Sequence, residues 1–167
     1  MNDPLNVIPL KRIGHAKYWN IFRRHYPIWD DNFSESQRKL SLTSGAPKLL
    51  RTTMSQSEYG ELIKAYEKDE DTQVFLCLIE ETPIGYVLCK KARGYVDNVW
   101  FISELYIDSK YRGHGYGREA LTFAERHFRS VGVKYVMLRV HEYNKVAKTL
   151  YTTQKYSADT TVMYKKL

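Results

Sequence analysis

Residues 105 to 117 restrict the fold of this chain more than any other stretch. Leu105, Tyr106 and Ile107 read as the end of a strand, glycines follow at 113, 115 and 117, and Ala120, Leu121, Ala124 and Phe128 then keep helical spacing. A strand, a tight turn and a helix follow one another with little slack. Glycine accepts φ > 0 and lets a ligand approach the main chain closely. Such a turn can aim several backbone N–H groups at one point, and the partial positive charge of the helix start adds to them, a combination that suits a pyrophosphate. Arg112 and Arg118 can supply formal charge. The plainer alternative is a tight connection. Two familiar phosphate loops fit poorly: a P-loop needs Lys and then Ser or Thr after its last glycine, where this chain has Arg118 and Glu119. The dinucleotide fingerprint needs Gly-x-Gly-x-x-Gly and an acid about 20 residues on, and neither is present.

The elements around this turn alternate in type. Val7 to Leu10 suits a first strand, and Tyr18, Trp19, Phe22 and Tyr26 share one helix face before Pro27 stops it. A short helix is expected over 34–42, with turn chemistry at Gly45 and Pro47. Ser55 or Ser57 can cap a helix running to about Lys68 on a stripe of Tyr59, Leu62, Ile63 and Tyr66. Gln73 to Ile79 and Ile84 to Lys90 read as a hairpin around Glu80, Glu81, Thr82 and Pro83, with a third strand over Asn98 to Ile107. Gly132 ends the helix that follows the glycine turn; a strand over Lys134 to Val140, a short helix from Asn144 to about Thr153 and a strand over Thr160 to Lys166 complete the order. The class is a mixed α/β layer, neither a Rossmann repeat nor an all-β barrel.

The 167 residues correspond to one domain at about 150 residues each, with no repeat and no Gly/Ser/Pro linker. A 43% hydrophobic content with 14 Tyr argues against a disordered chain. No apolar run approaches the roughly 18 to 20 residues that span a bilayer, and Met1 to Pro9 lacks the basic and apolar parts of a signal peptide. A cytoplasmic protein without membrane partners is expected. The cysteines, Cys77 and Cys89, form neither a disulfide framework nor a zinc pattern, so no metal is implied. They sit at equal distances from Pro83 and could face each other across the hairpin, although a buried free cysteine usually acts as a small hydrophobe. Charge is unevenly spread. Residues 109–167 hold 12 Lys and Arg against 4 acids, a balance of +8, whereas residues 52–108 hold 5 basic and 11 acidic side chains. A cationic surface for an anion therefore adjoins an acidic stretch, unless both are simply solvated helix faces.

Arg112-x-x-Gly115-x-Gly117, placed after a strand ending in Leu105, Tyr106 and Ile107, resembles the acetyl-CoA motif of the GNAT superfamily of N-acetyltransferases. The likeness continues in register through Leu138, Val140, Asn144, Ala147, Leu150 and Tyr151 to the closing residues Met163 to Leu167. It covers about residues 73–167. The resemblance implies a GNAT-like (acyl-CoA N-acyltransferase) α/β fold: a mixed, mostly antiparallel sheet splayed between two parallel strands, with helices on both faces. It implies one domain over residues 1–167, with 1–72 on the acceptor side and 73–167 holding acetyl-CoA.

The roles that follow are those the resemblance implies. Leu105, Tyr106 and Ile107 would line the pantetheine arm in the gap between the strands, with hydrogen bonds from the backbone of Leu105 and Ile107. Arg112, Gly113, His114, Gly115, Tyr116, Gly117 and Arg118 would hold the pyrophosphate. Asn144 would bind the arm, and Tyr151 would donate a proton to the departing sulfur. Tyr151 can also be read as a core aromatic beside Ala147 and Leu150. Glu104 is the first candidate for the base and His141 the second; some family members use no dedicated base. One position departs from the family pattern, with Lys155 standing where a glycine usually ends the tyrosine helix. Lys155 should then cost a fraction of about 1 kcal/mol or force a different turn.

Family acceptors range from small amines to protein lysines. Aromatics at Tyr18, Trp19, Phe22, Tyr26 and Trp29, with Asp30, Asp31 and Glu35, could floor a pocket for a cationic amine, though one aromatic helix face is more often core. The alternatives are a non-catalytic acyl-CoA-binding module of the same fold and a nucleic-acid-binding protein. The second draws on a pI near 9.3 but lacks Arg-rich runs or a recognition motif, so no nucleic-acid partner is expected. Neither the acceptor amine nor the oligomeric state, a homodimer included, is set by the sequence.

Overall fold

The computed structural model describes residues 3–10, 21, 57, 61, 64–66, 68–95, 98–140 and 144–159. Five strands form one sheet in the order β1-β2-β3-β4-β5: Leu5–Pro9, Thr72–Ile79, Thr82–Lys91, Val99–Ile107 and Tyr135–Leu138. The first three pairings are antiparallel, and β4 with β5 is parallel. Helix α1 spans Tyr116–Ser130, and α2 spans Lys145–Thr153. Among the described residues no helix is long and apolar enough to cross a membrane. Of the expected helix of Tyr18 to Tyr26 only Ile21 is described, and it is helical; the short helix over 34–42, His141 and the strand over 160–166 lie outside the described residues.

Both faces of the sheet are apolar because β2 and β3 are covered on both sides. One face packs Phe75, Cys77, Val87, Cys89, Trp100 and Ile102 against Ala120, Leu121, Ala124 and Phe128 of α1. Small alanines let the helix lie close, while Leu121 and Phe128 fill the space between, each burial being worth about 2 to 3 kcal/mol. The opposite face packs Leu76, Leu78, Tyr86, Leu88 and Tyr106 against the helical residues Ile21 and Tyr66. Gly85 sits where two strands approach closely: a Cβ there would lie only 2.2 Å from the Tyr106 carbonyl oxygen of β4.

Three local expectations change. The hairpin turn is Glu80 and Glu81 alone, with Thr82 and Pro83 already in β3 opposite Ile79 and Leu78. A register shift between Cys77 and Leu78 then pairs Cys77 with Gly85, and Cys89 with Gln73, so the cysteines do not face each other. Both are buried, and burial pushes the Cys77 thiol up to about 12 and Cys89 up as well, which keeps them protonated and inert. Strand β5 is shorter than the span from Lys134 to Val140, because its parallel partner turns away after Leu138.

The end of α2 resolves the Lys155 question. Lys155 takes the left-handed conformation, φ 67°, that a glycine would adopt. Its amide donates to the Thr152 carbonyl and that of Tyr156 to the Tyr151 carbonyl, both at 3.0 Å, which is the Schellman pattern. The rings of Tyr151 and Tyr156 close the motif, their centroids 5.9 Å apart. The turn is therefore kept, at a backbone cost. Lys155→Gly is expected to stabilise the protein by about 0.5 to 1 kcal/mol, read as a rise of about 2 to 3 °C in Tm. A fall in Tm would mean that the lysine stem contributes packing worth more than the strain.

Candidate active site

The site begins at an irregularity in β4. Its parallel pairing with β5 ends at Ile102 opposite Leu138, while β4 itself continues to Ile107. Just there the β3–β4 register shifts: Leu88 pairs with Glu104 and Cys89 with Ile102, leaving Ser103 as the extra residue of a bulge. A bulge bends its strand and adds twist, so β4 swings away from β5 and a gap opens beside residues 103–107. The bulge also resets which side chains face which way. Trp100 and Ile102, then Leu105 and Ile107, face α1, whereas Glu104 and Tyr106 lie on the opposite face with Leu88 and Tyr86.

Backbone alternation follows from the same register. The Asp108 amide donates to the Ile84 carbonyl at 2.7 Å, which directs residues 104, 106 and 108 toward β3. The amide and carbonyl groups of Leu105 and Ile107 therefore point toward the gap. Arg112 folds back on this edge. Its Nε donates to the Ile107 carbonyl at 2.8 Å, and its guanidinium carbon lies 5.8 Å from the Tyr106 ring centroid. One arm of Arg112 thus braces the strand end rather than projecting wholly into solvent.

Beyond Ile107, Asp108 caps a short turn, Ser109–Tyr111, by accepting from the Lys110 amide at 3.2 Å. The glycine turn follows, exposed from Arg112 to Gly115. Gly113 and Gly115 have φ of 82° and 89°, and Gly115 is the N-cap of α1. No side chain caps that helix; the amides of Arg118 and Glu119 both donate to the Gly115 carbonyl. The amides of Gly115, Tyr116 and Gly117 are the orphan donors of a helix start, directed outward along its axis. A Cβ at Gly113 or Gly115 would meet nothing within 4 Å, so the turn borders open space. An anion can therefore reach these amides, and the residues fit a phosphate-bearing ligand.

The other expected residues have mixed placements. A His114 ring nitrogen lies 2.9 Å from the Arg112 carbonyl, and the ring stacks near Tyr116 at 6.0 Å. Tyr116 is buried and donates to the Asp3 carbonyl at 3.2 Å, tying the start of α1 to the segment before β1. Gly117 faces α2, where a Cβ would sit 3.7 Å from Leu150 and 4.0 Å from Ile107. Arg118 is exposed beside the turn. Asn144 is the N-cap of α2, its side-chain oxygen accepting from the Ala147 amide at 3.1 Å.

Tyr151 and Glu104 lie on different sides of the gap. Tyr151 is half-buried and packs with Leu105, Leu138 and Leu150 against the α1 face. Burial raises its hydroxyl above the usual tyrosine range, so it keeps its proton at neutral pH. Glu104 lies on the opposite face, where its carboxyl accepts from the Tyr86 hydroxyl at 2.5 Å. Burial raises the Glu104 carboxyl above its usual range, opposed by that hydrogen bond and by Lys90. The two groups thus lie on opposite faces of the sheet, Tyr151 with its hydroxyl protonated and Glu104 accepting the Tyr86 hydrogen bond. Sequence reasoning missed Gly85, Tyr86 and the bulge at Ser103. The bulge had a readable signal in the apolar positions 100, 102, 105 and 107, which slip by one from a period of two.

Over 92 residues the chain is 29% identical to the uncharacterized N-acetyltransferase YycN of Bacillus subtilis (strain 168). That match covers 55% of this chain and 59% of the relative, so it spans less than two thirds of the curated protein. The structure is similar to an aminoglycoside acetyltransferase from an uncultured soil metagenomic sample, solved with sisomicin, at a TM-score of 0.70 and 14% identity over 98% of this chain and 95% of that one. It is also similar to the aminoglycoside N-acetyltransferase AAC(6')-Iy in complex with CoA, at a TM-score of 0.66 and 11% identity over 99% of this chain and 97% of that one. Identities this low speak for a shared fold. Residues 17–156 match the acetyltransferase (GNAT) family, and with the parted strands and the amide-lined turn described above, this chain belongs to that family.

Proposed function

We propose that this protein is an N-acetyltransferase that moves an acetyl group from acetyl-CoA to a primary amine by direct attack on the thioester. The observation that carries the reading is the gap beside Leu105 and Ile107, which leads into the outward-facing amides at the start of α1. The amides of residues 113–118 would take the pyrophosphate, aided by Arg118 and the free arm of Arg112. Leu105 and Ile107 would hold the pantetheine arm against the open strand edge, with Asn144 at its far side, while Tyr106, whose backbone is directed toward β3, would support that edge from the opposite face. The +8 balance of residues 109–167 matches the charge of such a ligand.

Acetyl-CoA supplies an activated acyl carbon; the chain supplies proton transfers and charge stabilisation. Glu104 takes a proton from the incoming ammonium, directly or through water. A backbone N–H near Leu105 stabilises the oxyanion, a contribution on the order of 3 kcal/mol for one donor. Tyr151 returns a proton to the departing sulfur from the other side of the gap. Attack and departure on opposite sides of the sheet agree with the placement of the two groups. The acceptor is read as a small-molecule amine, in keeping with the neighbour solved with sisomicin. The buried, protonated cysteines suit a cytoplasmic enzyme.

Thiol release from acetyl-CoA should be followed with spermidine, kanamycin, glycinamide and an alanyl peptide as acceptors. Turnover with at least one amine, together with a rise in Tm on adding acetyl-CoA and none with random duplex DNA, is the expected result. Strong acetyl-CoA protection without turnover on any amine class would instead make the protein a binding module of the same fold.

A further inference from the structure

The sheet face away from α1 carries a polar cluster inside an apolar layer. Tyr86 is 0% exposed, and its hydroxyl donates to Oε2 of Glu104 at 2.5 Å. The two lie on neighbouring strands one register step apart, since Tyr86 pairs with Tyr106 and Leu88 with Glu104. The Tyr86 and Tyr106 rings are 5.9 Å apart, which holds the Tyr86 ring within the core. Lys90, next along the same face of β3, places its ammonium 4.6 Å from the centroid of the Tyr66 ring. A tyrosine buried this deeply is rigid, so a short bond from it transmits that rigidity to its partner.

We propose that Tyr86 is a positioning residue for the reaction: by donating to one oxygen of Glu104 it fixes the carboxylate's rotation, and with it the direction from which a proton is accepted. The inference rests on reading Glu104 as the base. In the step concerned an N–H bond of the acceptor ammonium breaks and an O–H bond forms on Glu104. The nitrogen lone pair then forms the C–N bond, the C–S bond breaks as sulfur takes the Tyr151 proton, and the second proton leaves the acetylated nitrogen through solvent, which restores the Tyr151 hydroxyl and takes the first proton back from Glu104. Tyr86 keeps its own proton throughout and touches no reacting atom.

Among the described residues, the titratable and charged groups around Glu104 are Tyr86 and Lys90 of β3, Tyr66 of the helical residues 64–66, and Tyr106 of β4, with Arg112 over the Tyr106 ring. Burial raises the Glu104 carboxyl, and the Tyr86 hydrogen bond acts against it. A donor to a carboxylate favours the charged form, so removing that donor moves protonation to higher pH.

The test uses the full chain. The Glu104 carboxyl carbon is followed by ¹³C NMR across pH, assigned with Glu104→Gln, and the pH–rate profile is taken with the fastest amine of the four acceptors. Tyr86→Phe should move the Glu104 titration and the acid limb of the profile to higher pH. At pH 7 it should lower turnover about tenfold, with KM for acetyl-CoA unchanged. Incorporation of 3-fluorotyrosine at position 86, a stronger donor of nearly the same shape, should move the titration to lower pH and guards against a folding defect in the phenylalanine variant. A titration unmoved by both changes overturns the proposal, even if Tm falls, because a purely structural tyrosine would behave in that way. Full turnover in Glu104→Gln overturns it differently, by removing the base reading beneath it.

Discussion

Gly115→Val is expected to weaken acetyl-CoA binding at least 100-fold while the protein still folds. Gly115 has φ 89°, and a Cβ there would meet no atom of the chain within 4 Å. The new side chain would therefore not clash internally; it would occupy the space in front of the first amides of α1, where the pyrophosphate is proposed to lie. A β-branched residue at positive φ also strains the turn by about 1 to 3 kcal/mol, which would tilt those amides even where the side chain cleared the ligand. A 100-fold loss corresponds to about 2.7 kcal/mol, close to what losing one or two charge-assisted hydrogen bonds would produce. Calorimetric titration well below Tm separates lost binding from lost folding. Gly117→Ala is the internal control. Its Cβ would point at Leu150 at 3.7 Å, an ordinary contact away from the mouth of the turn, so acetyl-CoA affinity should stay within about threefold. Normal affinity in Gly115→Val would remove the amide cradle from the account.

How much of this was legible beforehand depended on the distance over which each signal acts. Strand, glycine turn and helix at 105–128 are local, each set by the period or backbone freedom of consecutive residues, and all three stand where expected. The parted strands were implied only by likeness to a family, because parting is a relation between β4 and β5, which are remote in sequence. Its physical cause, the bulge at Ser103, was present as a slip in alternation but is small beside the strong apolar content of β4. The opposite faces of Glu104 and Tyr151 depend on that slip. Without it Glu104 would share a face with Ile102 and point at α1. The Cys77–Cys89 expectation failed for a related reason: equal spacing about a presumed turn residue is undone when the turn lies two residues earlier and a register shift follows it. Arg112 and Asn144 read as ligand contacts, yet each also has a bond to its own chain that residue type alone does not reveal. Lys155 shows the reverse case, where a residue of unfavourable propensity is held in the left-handed turn by two backbone bonds and the contact of Tyr151 with Tyr156.

Tyr151→Phe is expected to lower turnover by about 10²- to 10⁴-fold and to leave acetyl-CoA affinity within about threefold. The two halves of that expectation come from different atoms of one side chain. The ring packs against the core on the α1 face of the sheet and lies against Tyr156, contacts that phenylalanine retains. The hydroxyl is raised by burial above the ordinary tyrosine range, so it holds its proton through neutral pH and is present as a donor to the sulfur while the C–S bond breaks. Removing it takes away an interaction made as charge develops on sulfur, which lowers kcat and kcat/KM together rather than raising KM. The sign of a further effect follows from the leaving group. A thioester of a more acidic thiol needs less help to depart, so the gap between wild type and Tyr151→Phe should narrow as thiol acidity rises in a series of acetyl thioesters. Equal activity in the variant would exclude the acid role and return Tyr151 to the core. A loss confined to KM would assign it to binding the arm instead.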